Sequence, residues 1–464
     1  MTIRLYDTSA RQTRDFTPLT PGCVSIYLCG ATVQAAPHIG HIRSGLNFDI
    51  MRRWFSYRGY AVTFIRNVTD IDDKILVKAA ESGEPWWSIG YRNERAFNDA
   101  YETLGCLPPT YEPRATGHVP EMIEMMSGLI ERGHAYAVDG NVYFDVRSFP
   151  EYLRLSNQEL DNLPNAGDAG AGKRDGRDFA MWKAAKPGEP SWATPWGRGR
   201  PGWHLECSAM AHKYLGTSFD IHGGGLDLIF PHHENEIAQA KAYGDDFAEY
   251  WAHNAWVTMS GEKMSKSLGN SVLVSEMVKR WRPIVLRYYL GTPHYRSMIE
   301  YSEEALREAE SAFARIEGFV QRVVEKAGTV EPAAEVPLSF AEAMDDDLGV
   351  PQALAIIHTT VRQGNSALTA DDKETAVARL AEVRAMLGVL GLDPLDEHWA
   401  GDSDRGDDLH GVVDSLVRLV LEQRQAARSR KDYGTADAIR DQLQQSGLVI
   451  EDTPSGPRWE LGPR

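Results

Sequence analysis

Apolar runs of strand length alternate with helical patterns in the N-terminal part of the chain. Residues 24–28 are mostly apolar and predict a short buried strand, which ends at Cys29 and Gly30. A helical pattern follows over residues 38–51, and residues 61–68 form a second apolar run. Strand, helix and strand at this spacing predict a βαβ unit, and therefore a parallel sheet of the doubly wound, Rossmann type. Ligands of such sheets bind beyond the carboxyl ends of the strands, so the residues after both strands should share one edge.

Residues 114–200 interrupt this alternation, and we interpret them as an insertion into the sheet. Within the insertion, residues 142–146 have the apolar pattern of a strand. Residues 162–177 are rich in glycine, aspartate and asparagine, and residues 187–202 are rich in proline and glycine, so both stretches are expected to be loops. The insertion is therefore predicted to be a mixed α+β region.

The strand–helix alternation returns after the insertion. Residues 218–222 predict a strand that ends at three glycines, and a helix is expected from Pro231, because proline suits a first helical position. A further apolar run, residues 253–258, leads into a glycine-flanked basic segment, residues 261–270. The parallel sheet is therefore predicted to resume on the far side of the insertion.

Apolar positions recur at helical spacing throughout the last third of the chain. Residues 309–323 form one apolar stripe, preceded by the acids Glu303 and Glu304 and followed by Gly328, as expected of a helix. Residues 393–408 are polar and are expected to form a loop. Further helices are predicted over residues 351–368, 372–390, 409–431 and 434–446.

These patterns predict an α/β fold in which a doubly wound parallel sheet is followed by a helical bundle and a small terminal domain. A length of 464 residues suits roughly three domains. We assign residues 1–113 and 201–260 to the Rossmann-type domain, 114–200 to the inserted region, 261–300 to the basic loop with a connecting fold, 301–390 to the bundle and 391–464 to the terminal domain.

Composition narrows the class of protein without identifying its chemistry. The hydrophobic fraction of 42% is ordinary for a globular protein, and no apolar run reaches the roughly 20 residues of a transmembrane helix. The N-terminus lacks the apolar core of a signal peptide, so we expect a cytoplasmic protein. Four cysteines in so long a chain are not a disulfide framework. A net charge of −17 argues against broad nonspecific nucleic-acid binding, but it is compatible with a local basic face.

Two short segments carry candidate nucleotide chemistry. At the predicted helix start, backbone N–H groups and the imidazoles of His38 and His41 offer hydrogen bonds to phosphate, while Gly40 lets a flat base approach. In the basic segment, Lys263 and Lys266 place two ammonium groups where a loop can fold over a polyphosphate. Taken singly, the first segment is equally compatible with a turn that carries surface histidines. The second, taken singly, is better explained as a solvated basic loop. Their occurrence in this order, each beside a parallel strand, favours nucleotide chemistry.

This pair of segments resembles the HIGH and KMSKS motifs of the class I aminoacyl-tRNA synthetases. The surrounding residues are similar to the cysteinyl-tRNA synthetases in particular, and the similarity extends nearly from end to end. It rests on residues 28–32, 67–74, 201–210, 220–225, 230–237 and 431–441. One departure is Gln34, where that family commonly has an aromatic residue, but this is not a ligand position. Residues 162–177 resemble nothing in the family, so no site residue is assigned there.

The resemblance implies an ATP-dependent ligase that activates L-cysteine as cysteinyl-adenylate and transfers it to tRNA(Cys). It assigns His38 and His41 to the phosphates of ATP, and Gly40 to a place under the adenine. It also assigns Lys266, with help from Lys263, to the α-phosphate that the amino-acid carboxylate attacks. Mg²⁺ is expected to accompany ATP.

The same resemblance implies a pocket for the amino acid. The residues assigned to it are Gly30, Thr32, Thr69, Trp203 and His222. For Trp203, packing in the core is an equally good interpretation. Cysteine and serine differ by one atom, and an ordinary pocket separates such near-isosteres poorly. A selective enzyme therefore needs a feature that recognises sulfur.

A metal ion would recognise sulfur, and four side chains are candidates for its ligands. His232 and Glu236 are four residues apart on the predicted helix and so share a face, while Cys29 and Cys207 come from distant segments. Two thiolates, an imidazole and a carboxylate are ligands that zinc accepts in a tetrahedral site. The four positions match the zinc ligands of the resembling family, which implies one zinc ion per chain that binds the substrate thiolate in preference to an alcohol.

The residues by themselves leave alternatives to this ligand set. The run from His232 to Glu236 is also compatible with a polar helix face, and His233 or Glu234 could be the ligands instead. Cys207 is also compatible with the role of a small buried hydrophobic residue, which is the more common fate of a free cysteine.

The predicted terminal domain supplies candidate contacts with RNA. A basic cluster at a predicted helix end is followed by Tyr433, and it consists of Arg424, Arg428, Arg430 and Lys431. Cations also suit a helix C-terminus because of the helix dipole, so the cluster has a structural explanation as well. In a synthetase the same side chains would contact RNA phosphates or anticodon bases. We expect the partners to be tRNA(Cys), ATP and L-cysteine, with no membrane, and the chain to be a monomer.

Two rival functions agree with parts of the sequence. A related ligase that joins cysteine to an amino sugar shares the basic loop but lacks the long C-terminal region, which is present here as residues 391–464. A catalytically inert zinc- or RNA-binding relative would not need the intact set of His38, His41, Lys263 and Lys266. Both features favour the tRNA ligase.

Overall fold

The computed structural model describes residues 2–164, 172–259, 261–264, 271–430, 432–453 and 456–461. Met1–Asp393 forms one compact unit of the chain, and Pro394–Arg464 forms another. None of the helices in the described ranges combines the length and the apolar composition that a bilayer crossing requires.

The N-terminal part contains a hairpin and the first strand–helix–strand unit. Its elements are β1 (Arg4–Asp7), β2 (Gln12–Asp15), β3 (Cys23–Leu28), α1 (Ile39–Tyr57), β4 (Ala61–Arg66), α2 (Asp73–Ser82) and α3 (Trp86–Thr103). β3 and β4 pair in parallel, from Cys23 opposite Ala61 to Leu28 opposite Arg66, and α1 is the crossover between them. The βαβ unit predicted from the apolar pattern is therefore confirmed.

The insertion forms a separate five-stranded antiparallel sheet. Its elements are α4 (Val119–Glu131), β5 (Ala135–Val138), β6 (Asn141–Phe144), β7 (Phe179–Ala184), β8 (Trp192–Thr194) and β9 (Gly197–Pro201), with the strand order β5–β6–β7–β9–β8. The predicted strand at residues 142–146 corresponds to β6. The predicted loop at residues 162–177 lies partly outside the described residues.

The loop predicted over residues 187–202 is wrong, because β8 and β9 form an antiparallel hairpin there. The physical reason is close packing between strands. A Cβ atom at Gly199 would lie 2.3 Å from the carbonyl oxygen of Lys183 on β7. A glycine that suggested a loop is thus required by the pairing of β9 with β7.

The second half of the parallel sheet follows the insertion. The elements of this region are α5 (Trp203–Leu215), β10 (Ser218–Gly225), α6 (Glu234–Tyr243), β11 (Phe247–Asn254), β12 (Val257–Met259), β13 (Glu262–Lys263), α7 (Val274–Met277), α8 (Pro283–Gly291) and β14 (Ile299–Glu300). β10 pairs with β3 on one side and β11 on the other, so the strand order is β11–β10–β3–β4. The chain winds outward in both directions from the β3–β10 pair, which confirms the doubly wound sheet and places its switch point there.

Three details of this region differ from the sequence-based prediction. The α-helix begins at Glu234, three residues later than predicted, because a short π-helical turn, Ile229–His233, precedes it. β10 continues through its three glycines, which pair with the last three residues of β11. A side chain is excluded at Gly223, where a Cβ atom would lie 2.1 Å from the ring of Phe48. The apolar run at residues 253–258 is divided between β11 and β12, which belong to different sheets.

Helices dominate the rest of both units. The elements are α9 (Glu303–Ala327), α10 (Leu338–Asp345), α11 (Val350–Thr369) and α12 (Lys373–Leu390) in the first unit, and α13 (Glu397–Ser429), α14 (Tyr433–Gln445), β15 (Leu448–Thr453) and β16 (Gly456–Leu461) in the second. The stripe predicted at residues 309–323 is largely buried on α9. The loop predicted at residues 393–408 is wrong, because α13 begins at Glu397. There the carboxylate of Asp396 accepts a hydrogen bond from the backbone N–H of His398, and this cap favours a helix despite the polar composition.

Candidate active site and metal centre

The candidate site lies at the carboxyl ends of β3 and β10, the two strands at the switch point of the sheet. Cys29 follows β3 directly, and its backbone N–H donates to the carbonyl oxygen of Gly223 on β10 at 3.0 Å. Cys207 reaches this edge from α5, His232 from the π-helical turn and Glu236 from the first turn of α6. Three segments distant in sequence therefore converge where doubly wound sheets bind their ligands.

These four residues form a buried group that we call the dithiol cluster: Cys29, Cys207, His232 and Glu236. The sulfur of Cys29 lies 3.6 Å from the sulfur of Cys207 and 3.3 Å from Oε1 of Glu236. Nε2 of His232 lies 2.8 Å from the same carboxylate oxygen. One ligand atom from each residue lies within 4.8 Å of the others. The structure thus brings together the four residues that were predicted from the sequence as candidate metal ligands.

The protonation states of the dithiol cluster follow from burial and from neighbouring charges. Burial raises the pKa of Cys29, whose thiol donates to the Cys207 sulfur. Burial alone would also raise the pKa of Cys207, but the hydrogen bond from Cys29 and the nearby His232 lower it to about 6. Burial would lower the pKa of His232, but Glu236 and Cys207 raise it to about 10. Burial would raise the pKa of Glu236, but His222 and His232 hold it well below its usual range.

The donor set of the dithiol cluster fits a metal ion. It combines two sulfur atoms, one ring nitrogen and one carboxylate oxygen, and its Glu236 and Cys207 groups favour their anionic forms at neutral pH. Anionic groups this deeply buried are costly unless they are paired or coordinate a cation. Four donor atoms that all lie within 4.8 Å of one another are therefore consistent with a metal centre.

A second possible ligand group keeps one thiol and the carboxylate of the dithiol cluster and adds His222 and His233. Both ring nitrogens of His222 are engaged, one with a backbone carbonyl and the other with Oε2 of Glu236 at 2.6 Å. Nδ1 of His233 is hydrogen-bonded to the ring of another buried histidine at 2.8 Å. Glu234 belongs to neither group that the described residues form, and it accepts a hydrogen bond from the backbone of Ser156 at 2.7 Å.

The predicted pocket residues Gly30, Thr32 and Thr69 come together where the segments after β3 and β4 meet. Thr32 and Thr69 form a parallel backbone bridge, and the N–H of Gly30 donates to the side chain of Asn67 at 2.8 Å. A Cβ atom at Gly30 would lie 1.7 Å from the carbonyl oxygen of Asn67, so a larger residue does not fit. The hydroxyl of Thr69 donates to Oε2 of buried Glu206 at 2.9 Å. These contacts fix the backbone beside the dithiol cluster.

Trp203 begins α5 and lies against the dithiol cluster. Its ring stacks on that of His232 with the centroids 4.2 Å apart. Because Trp203 is only half-buried, it lines the cluster in addition to packing against the protein. Nδ1 of His204 lies 3.0 Å from Nδ1 of His232. His204 and Glu206 were not predicted from the sequence, and the available signal was their position within residues 201–210, beside Trp203 and Cys207.

His38 and His41 lie together at the N-terminus of α1. Their rings stack with the centroids 3.6 Å apart, and the backbone N–H of His38 donates to Nδ1 of His41 at 3.3 Å. A Cβ atom at Gly40 would lie 3.1 Å from the His38 ring, so glycine keeps this turn compact. The N-terminus of a 19-residue helix, with its N–H groups and dipole, is an attractive place for an anion.

The basic segment adjoins this helix start. Lys263 lies on β13, while its side chain and the whole of Lys266 lie outside the described residues. Directly after the segment, the carbonyl oxygen of Val272 accepts a hydrogen bond from the backbone N–H of Ile39 at 3.0 Å. The chain therefore returns to the histidine pair immediately after the predicted lysine motif.

The predicted basic cluster lies at the end of α13 in the second unit. Arg428, Arg430 and Tyr433 are exposed, whereas Arg424 is buried. Lys431 lies outside the described residues. Two arginines and an aromatic ring are thus surface groups at this helix end.

Comparison with known families assigns most of the chain. A family described as the catalytic domain of class I (C) tRNA synthetases matches residues 15–311. A DALR domain matches residues 339–394, and a cysteinyl-tRNA ligase anticodon-binding domain matches residues 413–459.

Individual relatives agree with these families. The chain is 86% identical to the cysteine–tRNA ligase of Streptomyces avermitilis and 84% identical to that of Streptomyces griseus, over all of both chains in each case. It is 83% identical to the cysteine–tRNA ligase of Streptomyces coelicolor, covering 100% of this chain and 76% of that one. Among solved structures, methionyl-tRNA synthetase of Mycobacterium tuberculosis in complex with methionyl-adenylate is similar at a TM-score of 0.59 and 16% identity, over 80% of this chain and 92% of that one. This last likeness concerns the fold alone.

Proposed function

The chain belongs to the cysteine–tRNA ligase family of class I aminoacyl-tRNA synthetases, and from this membership we propose that it activates L-cysteine with ATP and attaches it to tRNA(Cys). In the first step a carboxylate oxygen of cysteine attacks the α-phosphorus of ATP, and pyrophosphate leaves. In the second step a ribose hydroxyl of the tRNA attacks the cysteinyl carbonyl carbon, and AMP leaves. The observation that carries the proposal is the position of the dithiol cluster and the histidine-bearing helix start on neighbouring parts of one sheet edge.

The phosphate end of the site is the start of α1. His38 and His41 hold the phosphates of ATP together with the N-terminal N–H groups of the helix, and Gly40 leaves room for the adenine. Lys266, with help from Lys263, stabilises the negative charge that accumulates on the α-phosphate as the carboxylate attacks. Mg²⁺, when bound with ATP, would partly neutralise the charge of its phosphates.

The amino-acid end of the site is the dithiol cluster, which fits zinc by its two sulfurs, one nitrogen and one oxygen. Cys29, Cys207, His232 and Glu236 would hold one ion per chain. When bound, zinc would supply a soft Lewis acid that takes the substrate thiolate in preference to the hydroxyl of serine. The backbone and side chains around the ion then position the substrate, and these residues are Gly30, Thr32, Thr69, Trp203 and His222.

His222 and Trp203 contribute by orienting the ligands. The hydrogen bond of 2.6 Å from His222 to Oε2 of Glu236 leaves Oε1 directed at the sulfur of Cys29 and the ring of His232. The stack of Trp203 on His232 fixes the plane of that imidazole. Mutation of partners that orient metal ligands in this way typically lowers metal affinity or activity about 10- to 100-fold.

Residues 391–464 bind the anticodon region of the tRNA in this proposal. The support is the family match over residues 413–459 and the exposed cations Arg428 and Arg430. In this proposal residues 1–113 and 201–260 form the catalytic domain, and Lys263 and Lys266 of the basic segment complete its site. We propose that the enzyme acts in the cytoplasm, where tRNA and ATP are found, and that it acts as a monomer.

Two linked assays test the function. Cysteine-dependent exchange of pyrophosphate into ATP should occur without tRNA, and cysteine should then become attached to tRNA(Cys). Absence of exchange would overturn the proposal. Exchange without tRNA charging, accompanied by ligation of cysteine to an amino sugar, would assign the chain to the related ligase instead.

A further inference from the structure

Arg43 is a buried arginine on α1, two residues after His41, and it binds backbone rather than a carboxylate. Its side chain is fully buried, and Nη1 donates to the carbonyl oxygens of Ala255 at 2.8 Å and Trp256 at 2.9 Å. Nη2 donates to the carbonyl oxygens of His294 at 3.2 Å and Ser297 at 2.5 Å. Among the described residues, no carboxylate lies within ion-pair distance of this guanidinium.

The four carbonyl groups belong to the two segments that lead into the small sheet of the basic segment. Residues 255–256 connect β11 to β12, and residues 294–297 precede β14. β12 pairs in parallel with β14 and antiparallel with β13, the strand that carries Lys263. Arg43 therefore holds two of the three strands of this sheet against α1 through fixed donors of one planar group.

The neighbouring contacts reinforce the same attachment. The hydroxyl of Ser44 donates to the side chain of Asn254 at 2.8 Å, at the end of β11. On the far side of the basic segment, Ile39 donates to the carbonyl oxygen of Val272 at 3.0 Å. The residues that flank 257–271 on both sides are thus hydrogen-bonded to the first turns of the helix that presents His38.

Burying a guanidinium without a counter-charge is costly, so the arrangement calls for an explanation. Burial lowers the pKa of Arg43 to about 10, and the group is therefore still cationic at neutral pH. An apolar side chain would fill this space at a lower cost in desolvation. An apolar side chain could not, however, hydrogen-bond four carbonyl groups and so hold the two segments that carry them in a fixed position relative to α1.

We propose that Arg43 is a positioning residue for adenylate formation, which sets the lysine-bearing strand at a fixed distance from the histidine pair at the start of α1. The inference rests on the function proposed above, because it concerns the placement of the groups that act on the phosphates of ATP. Misplacement of such groups by about 1 Å is enough to slow a reaction roughly a hundredfold, so the effect should appear in the rate of chemistry.

The test is Arg43→Lys, which keeps the positive charge but loses the planar fork of donors. We expect kcat for cysteine-dependent ATP–pyrophosphate exchange to fall at least about tenfold, while the KM for cysteine stays within about twofold of the wild-type value. A loss of overall structure would instead change both parameters or the amount of active enzyme. Active-site titration by the burst of adenylate separates these cases.

Arg287→Lys is the matched control, because Arg287 is equally buried and also donates to backbone carbonyls, at Leu104 and Leu390. It should lower the melting temperature by a similar amount while its kcat stays within about twofold of the wild-type value. Equal losses of kcat in the two variants would overturn the proposal.

Ser44→Ala provides a milder test should Arg43→Lys not fold. It removes one hydrogen bond of the same attachment and should lower kcat about threefold without a change in the KM for cysteine. An unchanged kcat would overturn the proposal. A wild-type chain without exchange activity would refute the proposed function itself, whereas an active wild type with a fully active Arg43→Lys variant would refute only the positioning role.

Discussion

Nη2 of Arg287 lies 2.6 Å from Oδ2 of Asp49, and the two side chains are 1% and 3% exposed. Arg287 stands on α8 and also donates to the carbonyl oxygens of Leu104, directly after α3, and Leu390, at the end of α12. A Cβ atom at Gly391, where φ is +67°, would lie 2.4 Å from the guanidinium. Arg287 therefore joins α8 to α1 through the ion pair, and to the ends of α3 and α12 through its two carbonyl contacts.

Asp49→Asn should destabilise the first unit strongly. The substitution leaves the guanidinium of Arg287 buried without its counter-charge, which typically costs about 3–5 kcal/mol. Denaturant unfolding followed by fluorescence measures the loss. Asp371→Asn is the control, because that carboxylate is 95% exposed and its removal should change stability by no more than about 0.5 kcal/mol. Equal stability of the two variants would contradict the role of the ion pair.

The contribution of Asp49 should also depend on pH in a defined direction. Burial alone would raise the pKa of Asp49, but Arg287 and Arg53 hold it below its usual range. A carboxyl group with a lowered pKa in the folded state stabilises the fold above its unfolded pKa, about 4, and this stabilisation is lost as pH falls. The difference in melting temperature between the wild type and Asp49→Asn should therefore be largest near neutral pH and shrink below about pH 4. A difference that grows on acidification would refute this assignment.

The order of strands and helices was predictable wherever the signal was local. The apolar run before Cys29 and the acid-first, glycine-last pattern of α9 each lie within one element, so both elements were found. Two predicted loops were wrong because their structure depends on a contact between strands in one case and on a helix cap in the other. Gly199 is a strand residue because of its contact with Lys183, and the polar start of α13 is helical behind the cap at Asp396.

The residues of the candidate site were predictable from their resemblance to family motifs. Residue type and spacing alone predicted only some of them. Spacing placed His232 and Glu236 on one helix face, but it could not separate His232 from its neighbour, and the resemblance supplied that choice. Glu206 and His204 gave no independent signal, because their role arises from contacts with Thr69 and His232 across the fold. Residues that act through such contacts become visible only when the distant segments meet.

Cys207→Ser should abolish both metal binding and amino-acid selectivity. The substitution replaces a soft thiolate of the dithiol cluster by a weakly coordinating hydroxyl, so bound zinc should fall well below one ion per chain. Zinc content by atomic absorption and exchange rates with cysteine and serine measure the two effects. Cys23→Ser is the matched control, because Cys23 is exposed and lies at the opposite end of β3 from Cys29, so it should keep both properties. A Cys207→Ser variant with full zinc and full preference for cysteine would refute the ligand assignment.

Gly30→Ala should impair the binding of cysteine. The added methyl group would lie 1.7 Å from the carbonyl oxygen of Asn67, so the backbone beside the dithiol cluster must move. We expect the KM for cysteine to rise at least about tenfold, since displacement of positioning groups by even 1 Å has large effects. Gly388→Ala is the control, because a Cβ atom there meets nothing within 4 Å and alanine favours the helix by about 0.5–1 kcal/mol. Unchanged KM in Gly30→Ala would show that this backbone does not shape the pocket.

Arg428→Glu and Arg430→Glu should weaken the interaction with tRNA while leaving adenylate formation intact. Both side chains are exposed at the end of α13, so their reversal replaces attraction to RNA phosphates by repulsion. Exchange of pyrophosphate, which needs no tRNA, should proceed at the wild-type rate, whereas the KM for tRNA should rise. The slope of log Kd against log salt should fall by about one for each lost phosphate contact. Arg362→Glu, which reverses an exposed arginine on α11 in the first unit, controls for the change in net charge. If all three variants raise the KM for tRNA equally, the effect reflects overall charge, and the basic cluster of α13 is not the site of contact.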